Sequence, residues 1–177
     1  MALTSGDSPT LDECPMVYLV DKILSLYGKE PSMIKQQAQA VWRGRIKDGN
    51  GSFRSGAIEG EYSFASRFEG GAGSTPEQLI GAAHASCFSM ALSLFLTEQG
   101  HTPEAIRTTA TVNLDPEQLA ITRIELETEA EVSGLDESKF RELAEKAKEN
   151  CPVSKALGAV PVVLKSSNLT RAAADRR

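Results

Sequence analysis

The sequence predicts an α+β fold, an antiparallel sheet packed on a buried central helix, and three stretches carry that prediction. The first, "GSTPEQLIGAAHASCFSMALSLFLTEQG" (73–100), is an apolar run between a helix start signal and a helix stop signal. In the second, "AITRIELETEAEVSG", Ile124, Leu126, Ala130 and Val132 alternate with Arg123, Glu125, Glu127, Glu129 and Glu131, the pattern of a strand with one wet face. The third, "DESKFRELAEKAKEN", places Phe140, Leu143, Ala144 and Ala147 on one stripe at helical spacing.

Taken in order, residues 1–32 read as an N-terminal extension, Ser/Asp/Pro-rich with one apolar run, "MVYLVDKILSLYG". That run suits either an amphipathic helix or a loosely held segment. A single domain is expected over 33–168, followed by a basic tail at 169–177. The domain opens with strand-like stretches around "KDGNG", whose Asp-Gly and Asn-Gly pairs suit a hairpin turn. The next segment, "SRFEGGAGS", is glycine-rich but lacks GxGxxG or GxxxxGK[ST], so it reads as a loop rather than a phosphate cradle. Ser74 or Thr75 caps the apolar helix, Pro76 opens it and Gly100 ends it. "IRTTATVNLD" and the alternating stretch are strands, the amphipathic helix follows, "CPVSKAL" starts a new turn, and "VPVVLK" is the last strand.

A length of 177 residues suits one domain, and a net charge of -5 gives a field that repels phosphate backbones, so nucleic acid is not an expected partner. The first residues have no basic region leading into an apolar run, and no secretory signal is read there. Three cysteines, spaced by 73 and 64 residues, fit neither a disulfide-stapled scaffold nor a CxxC motif, and a reducing cytoplasm is the expected compartment. Leu79 to Leu96 is an uncharged stretch of 18 residues. Its His84, Ser86, Ser89 and Ser93 dilute the apolarity, so it is expected to be the centre of a domain rather than a membrane span.

Cys87 lies in the middle of that helix, where a free cysteine commonly serves as a small hydrophobe. Cys151 precedes Pro152 at a helical start, near backbone N–H groups that have no partner within the helix. His84 is one turn before Cys87, which opens a Cys-His nucleophilic pair as one reading and a hydrogen-bonded core histidine as another. Glu77 reads alone as a capping carboxylate and Arg67 as a solvated loop charge. The histidines and cysteines offer no metal-ligand spacing beyond one Hx2C, and no metal is expected.

Together, "RFEGGAGSTPEQLIGAAHASCFSMALS", "QAVWRGRIKDGNG", "AITRIELETEAEVSGLD" and "AKENCPVSKAL" resemble the OsmC/Ohr family of organic hydroperoxide peroxidases, in its OsmC branch, over roughly Met33 to Lys165. The resemblance implies a thiol peroxidase without flavin, haem or metal that reduces organic hydroperoxides, and hydrogen peroxide more weakly, in oxidative and osmotic stress defence. It implies Cys87 as the peroxidatic cysteine, Cys151 as the resolving one, a disulfide between them, and Arg67 with Glu77 as the pair that activates the thiolate. It also implies an intertwined homodimer with sheets wrapped around paired central helices, and an external dithiol reductant, lipoyl groups in the Ohr branch. Phe88 and Leu92 are expected in the apolar wall of the site.

"STPE" departs from the asparagine often found before that proline, and Cys14 falls outside the match with no family role. Arg43 and Arg45 are alternatives to Arg67, because the Ohr branch draws its arginine from that region. Glu77 and Cys87 are ten residues apart on one helix, about 15 Å of rise, so a shared site would take Glu77 from a second chain. Two other readings stay open: a Cys87–His84 hydrolase or acyltransferase, and a non-catalytic dimer that senses hydroperoxide or binds a small ligand.

Overall fold

The computed structural model describes residues 33–170. The chain divides after Gln36, and the fold below is that of the unit from Gln37 onward. The N-terminal extension, residues 1–32 with Cys14, lies outside the described residues.

Three strands, β1 (Gln39–Arg43), β2 (Asn50–Ser55) and β3 (Ile58–Ser63), form an antiparallel sheet rather than a lone hairpin. The first turn spans 44–49, so Asn50 and Gly51 of the Asn-Gly pair belong to β2 and not to the turn. A second, two-residue turn at Gly56 and Ala57 closes β2 onto β3, and the positive φ of Gly56 (58°) suits glycine at the first central position. Gly51 sits in register between Trp42 and Tyr62. With no side chain there, the two rings close to 5.6 Å between centroids, and a Cβ on Gly51 would collide with the Tyr62 ring.

β3 runs directly into a short helix, α1 (Phe64–Phe68), where the sequence suggested loop. Ser63 caps it, and Ser66 returns the bond to the Ser63 N–H. The Ser66 hydroxyl also donates to the Ser74 carbonyl at 3.0 Å, and the Ser74 N–H donates to the Glu61 carbonyl at 2.8 Å. These bonds fold the glycine-rich loop back so that α1 lies beside the start of the next helix.

That helix, α2 (Pro76–Glu98), has Thr75 as its N-cap and Gln78 closing the capping box. Its C-terminus is closed by Gly100 at φ 83°, with the His101 N–H donating to the Leu96 carbonyl. Gly81, His84, Phe88, Ala91, Leu92, Phe95 and Leu96 form its buried face. The expectation of burial all round holds for that face only: Leu79, Ala82, Ala83, Ser86 and Met90 are exposed along the other side, Met90 to 75%.

The second sheet holds β4 (Ala105–Asp115), β5 (Ala120–Glu131) and β6 (Val162–Thr170), with β5 in the middle. β4 and β5 are antiparallel, whereas β6 runs parallel to β5 because α3 (Glu137–Asn150) and α4 (Pro152–Ala156) intervene as a crossover. β6 takes in Leu169 and Thr170, the first two residues assigned to the tail. Ile124, Leu126, Thr128 and Ala130 make one buried row on β5, which Val132 continues just past the strand's end. The hydroxyl of Thr128 in that row joins a chain to Thr108 (3.1 Å) and on to Ser89 of α2 (2.8 Å), which fixes α2 over the sheet. Phe140, Leu143, Ala144 and Ala147 of α3 complete the core as the stripe predicts.

A Cβ on Gly81 would stand 3.1 Å from the Ala110 carbonyl oxygen of β4. Gly81→Val is therefore expected to destabilise the fold by about 1–3 kcal/mol, read as a lower urea midpoint at unchanged m-value.

Candidate active site

Cys87 and Cys151 are both free thiols, and the fold brings them together although 64 positions separate them. Cys87 projects from the middle of α2, half-buried, while Cys151 is wholly buried at the junction of α3 and α4. Cys151 ends α3, with its N–H donating to the Ala147 carbonyl, and caps α4 through its backbone alone. Its sulfur makes no capping bond. The backbone of Val153, in that first turn, lies near the Cys87 sulfur and favours its thiolate.

Burial pushes the Cys87 thiol up to about 11, and the neighbouring Cys151 adds to the rise, while the Val153 backbone acts in the opposite sense. No cation figures among these causes. One chain thus supplies the two thiols but not the charge that would ionise the first.

The charged pair lies at the head of the same helix. Arg67 of α1 donates to Glu77 in the first turn of α2 from Nη2 (2.6 Å to Oε1) and from Nε (3.2 and 3.3 Å to the two oxygens), a planar fork. Burial works against the Glu77 charge, but the bonds from Arg67 and from backbone outweigh it and hold the carboxyl below its usual range. Glu77 is not the capping-box residue, because Gln78 fills that role, which leaves Glu77 free for the arginine. Arg67 also lies over the Phe68 ring at 5.2 Å. Arg45 pairs with Asp48 in the first turn, both exposed, and neither it nor Arg43 is bonded to Glu77. Ten residues of continuous α2 separate Glu77 from Cys87, so the ion pair and the thiol of one chain stand about 15 Å apart along the helix.

His84 is fully buried, and its Nε2 is 2.8 Å from the Ser154 hydroxyl, a residue the sequence reading did not single out. The signal was available: Ser154 follows Cys151 by one turn as His84 precedes Cys87 by one. Burial lowers the His84 pKa, which favours neutral imidazole, and its Nδ1 has no partner among the described residues. A Cys-His hydrolase needs the imidazole bonded to the thiol, and His84 is bonded to Ser154 instead, with its other nitrogen unpartnered among the described residues.

Phe88 and Leu92 have no exposed surface in this chain, so they belong to the core and not to a substrate wall. The apolar concavity lies on the opposite side of α2, a groove of about 470 Å³ bordered by Ala40, Phe53, Ile58, Leu79, Ala83 and Ser86. Among the described residues, no three His, Cys, Asp or Glu side chains are grouped to hold a metal ion.

The sequence matches the family of OsmC-like proteins over residues 69–165. Peroxiredoxin OsmC of Escherichia coli (strain K12) is 52% identical over 131 residues, 71% of this chain and 92% of that protein. The organic hydroperoxide resistance protein OhrB of Bacillus subtilis superposes with a TM-score of 0.53 at 27% identity, over 76% of this chain and 98% of that one. An OsmC-like protein from Mycoplasma pneumoniae shares the fold, with a TM-score of 0.60 at 17% identity over 79% of this chain and 99% of that one. With the family matched over more than half of its length and a relative 52% identical over 71% of it, the chain belongs to the OsmC family.

Proposed function

We propose that this chain is a cysteine-based peroxidase that reduces organic hydroperoxides, and hydrogen peroxide more weakly, to alcohols or water in oxidative and osmotic stress defence. The observation that carries the proposal is the closeness of two free thiols that stand 64 positions apart in sequence: Cys151, ahead of α4, lies near enough to Cys87 on α2 to raise its pKa. Peroxiredoxin OsmC and OhrB, by name a peroxiredoxin and an organic hydroperoxide resistance protein, support the same chemistry.

The Cys87 thiolate attacks the distal peroxide oxygen; the O–O bond breaks, the alkoxide leaves as alcohol after taking a proton, and Cys87 is left as sulfenic acid. The Cys151 thiolate then attacks the Cys87 sulfur, the S–S bond forms and water leaves. An external dithiol, such as a lipoyl group, reopens the bond by exchange, and the need for it fits a reducing cytoplasm.

The activating charge comes from a second copy of the chain. A thiol at about 11 is ionised in only about one molecule in ten thousand at pH 7, and the fork of Arg67 and Glu77 is a helix length away in its own chain. The exposed stripe of Leu79, Ala82, Ala83, Ser86 and Met90 is an apolar helix face of the kind a homodimer covers. Antiparallel pairing of two α2 helices along it would carry the ion pair of each toward the thiol of the other. The apolar groove beside that face supplies walls suited to an alkyl hydroperoxide.

One equivalent of cumene hydroperoxide is expected to remove two hydrogens from the intact mass and to yield a Cys87–Cys151 cross-linked peptide. Cys87→Ser should abolish peroxide consumption; undiminished consumption would refute the assignment. Alkylation of reduced protein by iodoacetamide, followed against pH, should show its midpoint rising toward about 11 in Arg67→Met, because losing the cation removes what favours the thiolate. An unmoved midpoint would remove Arg67 from the site. Heterodimers of a Cys87→Ser chain with an Arg67→Met chain should regain about half of wild-type turnover, since one of two symmetric sites then unites an intact thiol with an intact arginine. Heterodimers as inactive as their parent homodimers would place thiol and arginine in one chain.

A further inference from the structure

The buried pair His84–Ser154 has no part in the chemistry above, yet it joins the same two elements as the cysteines. Cys87 and His84 are one turn apart on α2, and Cys151 and Ser154 are one turn apart at α4, so the two contacts form adjacent rungs between the helices. α4 is five residues long, its N-cap makes no side-chain capping bond, and its Pro152 has no N–H to give. Such a segment is too short to hold itself as a helix and keeps its place only through what it packs on.

The rungs differ in what happens to them during turnover. Once Cys87 carries oxygen, its thiol–thiol contact with Cys151 no longer exists in its original form. His84–Ser154 contains no reacting atom and persists. It is also an expensive way to fill space: the imidazole is wholly buried with Nδ1 unpartnered, where an aliphatic side chain would incur no such desolvation. Since an orphaned N–H is rarer than an orphaned acceptor, the imidazole is assigned as the tautomer whose Nε2–H donates to Ser154 Oγ.

We propose that His84 and Ser154 are positioning residues for the resolving step: their hydrogen bond holds α4 against α2 while Cys87 is oxidised, keeping Cys151 in line for its attack. In that step the Cys151 thiolate sulfur bonds to the Cys87 sulfenic sulfur, the S–O bond breaks, and hydroxide leaves as water after taking one proton. The inference rests on the peroxidase reading. Two buried groups are tied to each other solely to keep a third and a fourth in reach.

The test is a stopped-flow comparison of wild type, Ser154→Ala, Ser154→Thr and His84→Leu with limiting cumene hydroperoxide, following sulfenic acid formation and disulfide closure separately, with sulfinic acid at Cys87 read by mass. Ser154→Ala and His84→Leu are expected to close the disulfide about tenfold more slowly, the order set by losing one buried hydrogen bond. Sulfinic acid should accumulate in both, sulfenic acid formation should stay within about twofold of wild type, and Ser154→Thr should restore closure through its hydroxyl. Closure at the wild-type rate in Ser154→Ala, or an equal slowing of both steps, overturns the clamp. A wild-type chain that forms no disulfide overturns the peroxidase reading instead, a result visible before any variant is examined.

Discussion

A nucleophilic thiol must ionise, and Cys87, the nucleophile on the proposed reading, stands where burial and a neighbouring thiol both resist ionisation. The rest of the site is arranged around that conflict. On the proposed reading, depth in an apolar helix suits the sulfur to a greasy peroxide and to Cys151, but it raises the cost of the thiolate. The Val153 backbone offsets part of this cost, and the remainder requires a full positive charge. Arg67 is suited to supply it because the Glu77 fork fixes the guanidinium plane, and Glu77 is itself fixed in the first turn of a capped helix.

Rigid secondary structure then turns a local need into a quaternary one. An uninterrupted α2 cannot bring its own first turn to its own middle. The same helix exposes Leu79, Ala82, Ala83, Ser86 and Met90, small or flexible side chains that allow close approach of another helix. On the proposed reading, ionisation of the thiol and covering of this face are one requirement met by one event, and association becomes part of catalysis rather than an accompaniment to it.

The elements with long periodic patterns were legible in the sequence. The stripe Phe140, Leu143, Ala144, Ala147 and the row Ile124, Leu126, Ala130, Val132 fall where periodicity puts them, because packing and pattern agree there. Short elements were not. α1 is five residues held by the Ser63–Ser66 box and by a bond to Ser74, and no period exists over so short a run. The Asn-Gly pair misled because a longer turn, held by Gly49 N–H to Arg45 carbonyl, closes before it. Thr128 was invisible as a core residue because its burial depends on hydroxyl partners on β4 and α2, far off in sequence. In the site, the resemblance named four candidate residues and the pairing of Arg67 with Glu77, which the fold brings together; the approach of Val153 to Cys87 and the bond of His84 with Ser154 were not legible, because they join positions far apart in sequence.

The placement of the two thiols has a thermodynamic side as well. A bond between Cys87 and Cys151 would enclose the latter half of α2, β4, β5 and α3 in one covalent loop. In the chain-entropy account, closing a loop of that length raises the free energy of the unfolded ensemble by about 4 kcal/mol. The spent enzyme would then be the sturdier form and the reduced enzyme the more yielding one. Oxidative stress, which consumes the catalyst's reactive state, would at the same time shelter the polypeptide from unfolding until a dithiol arrives.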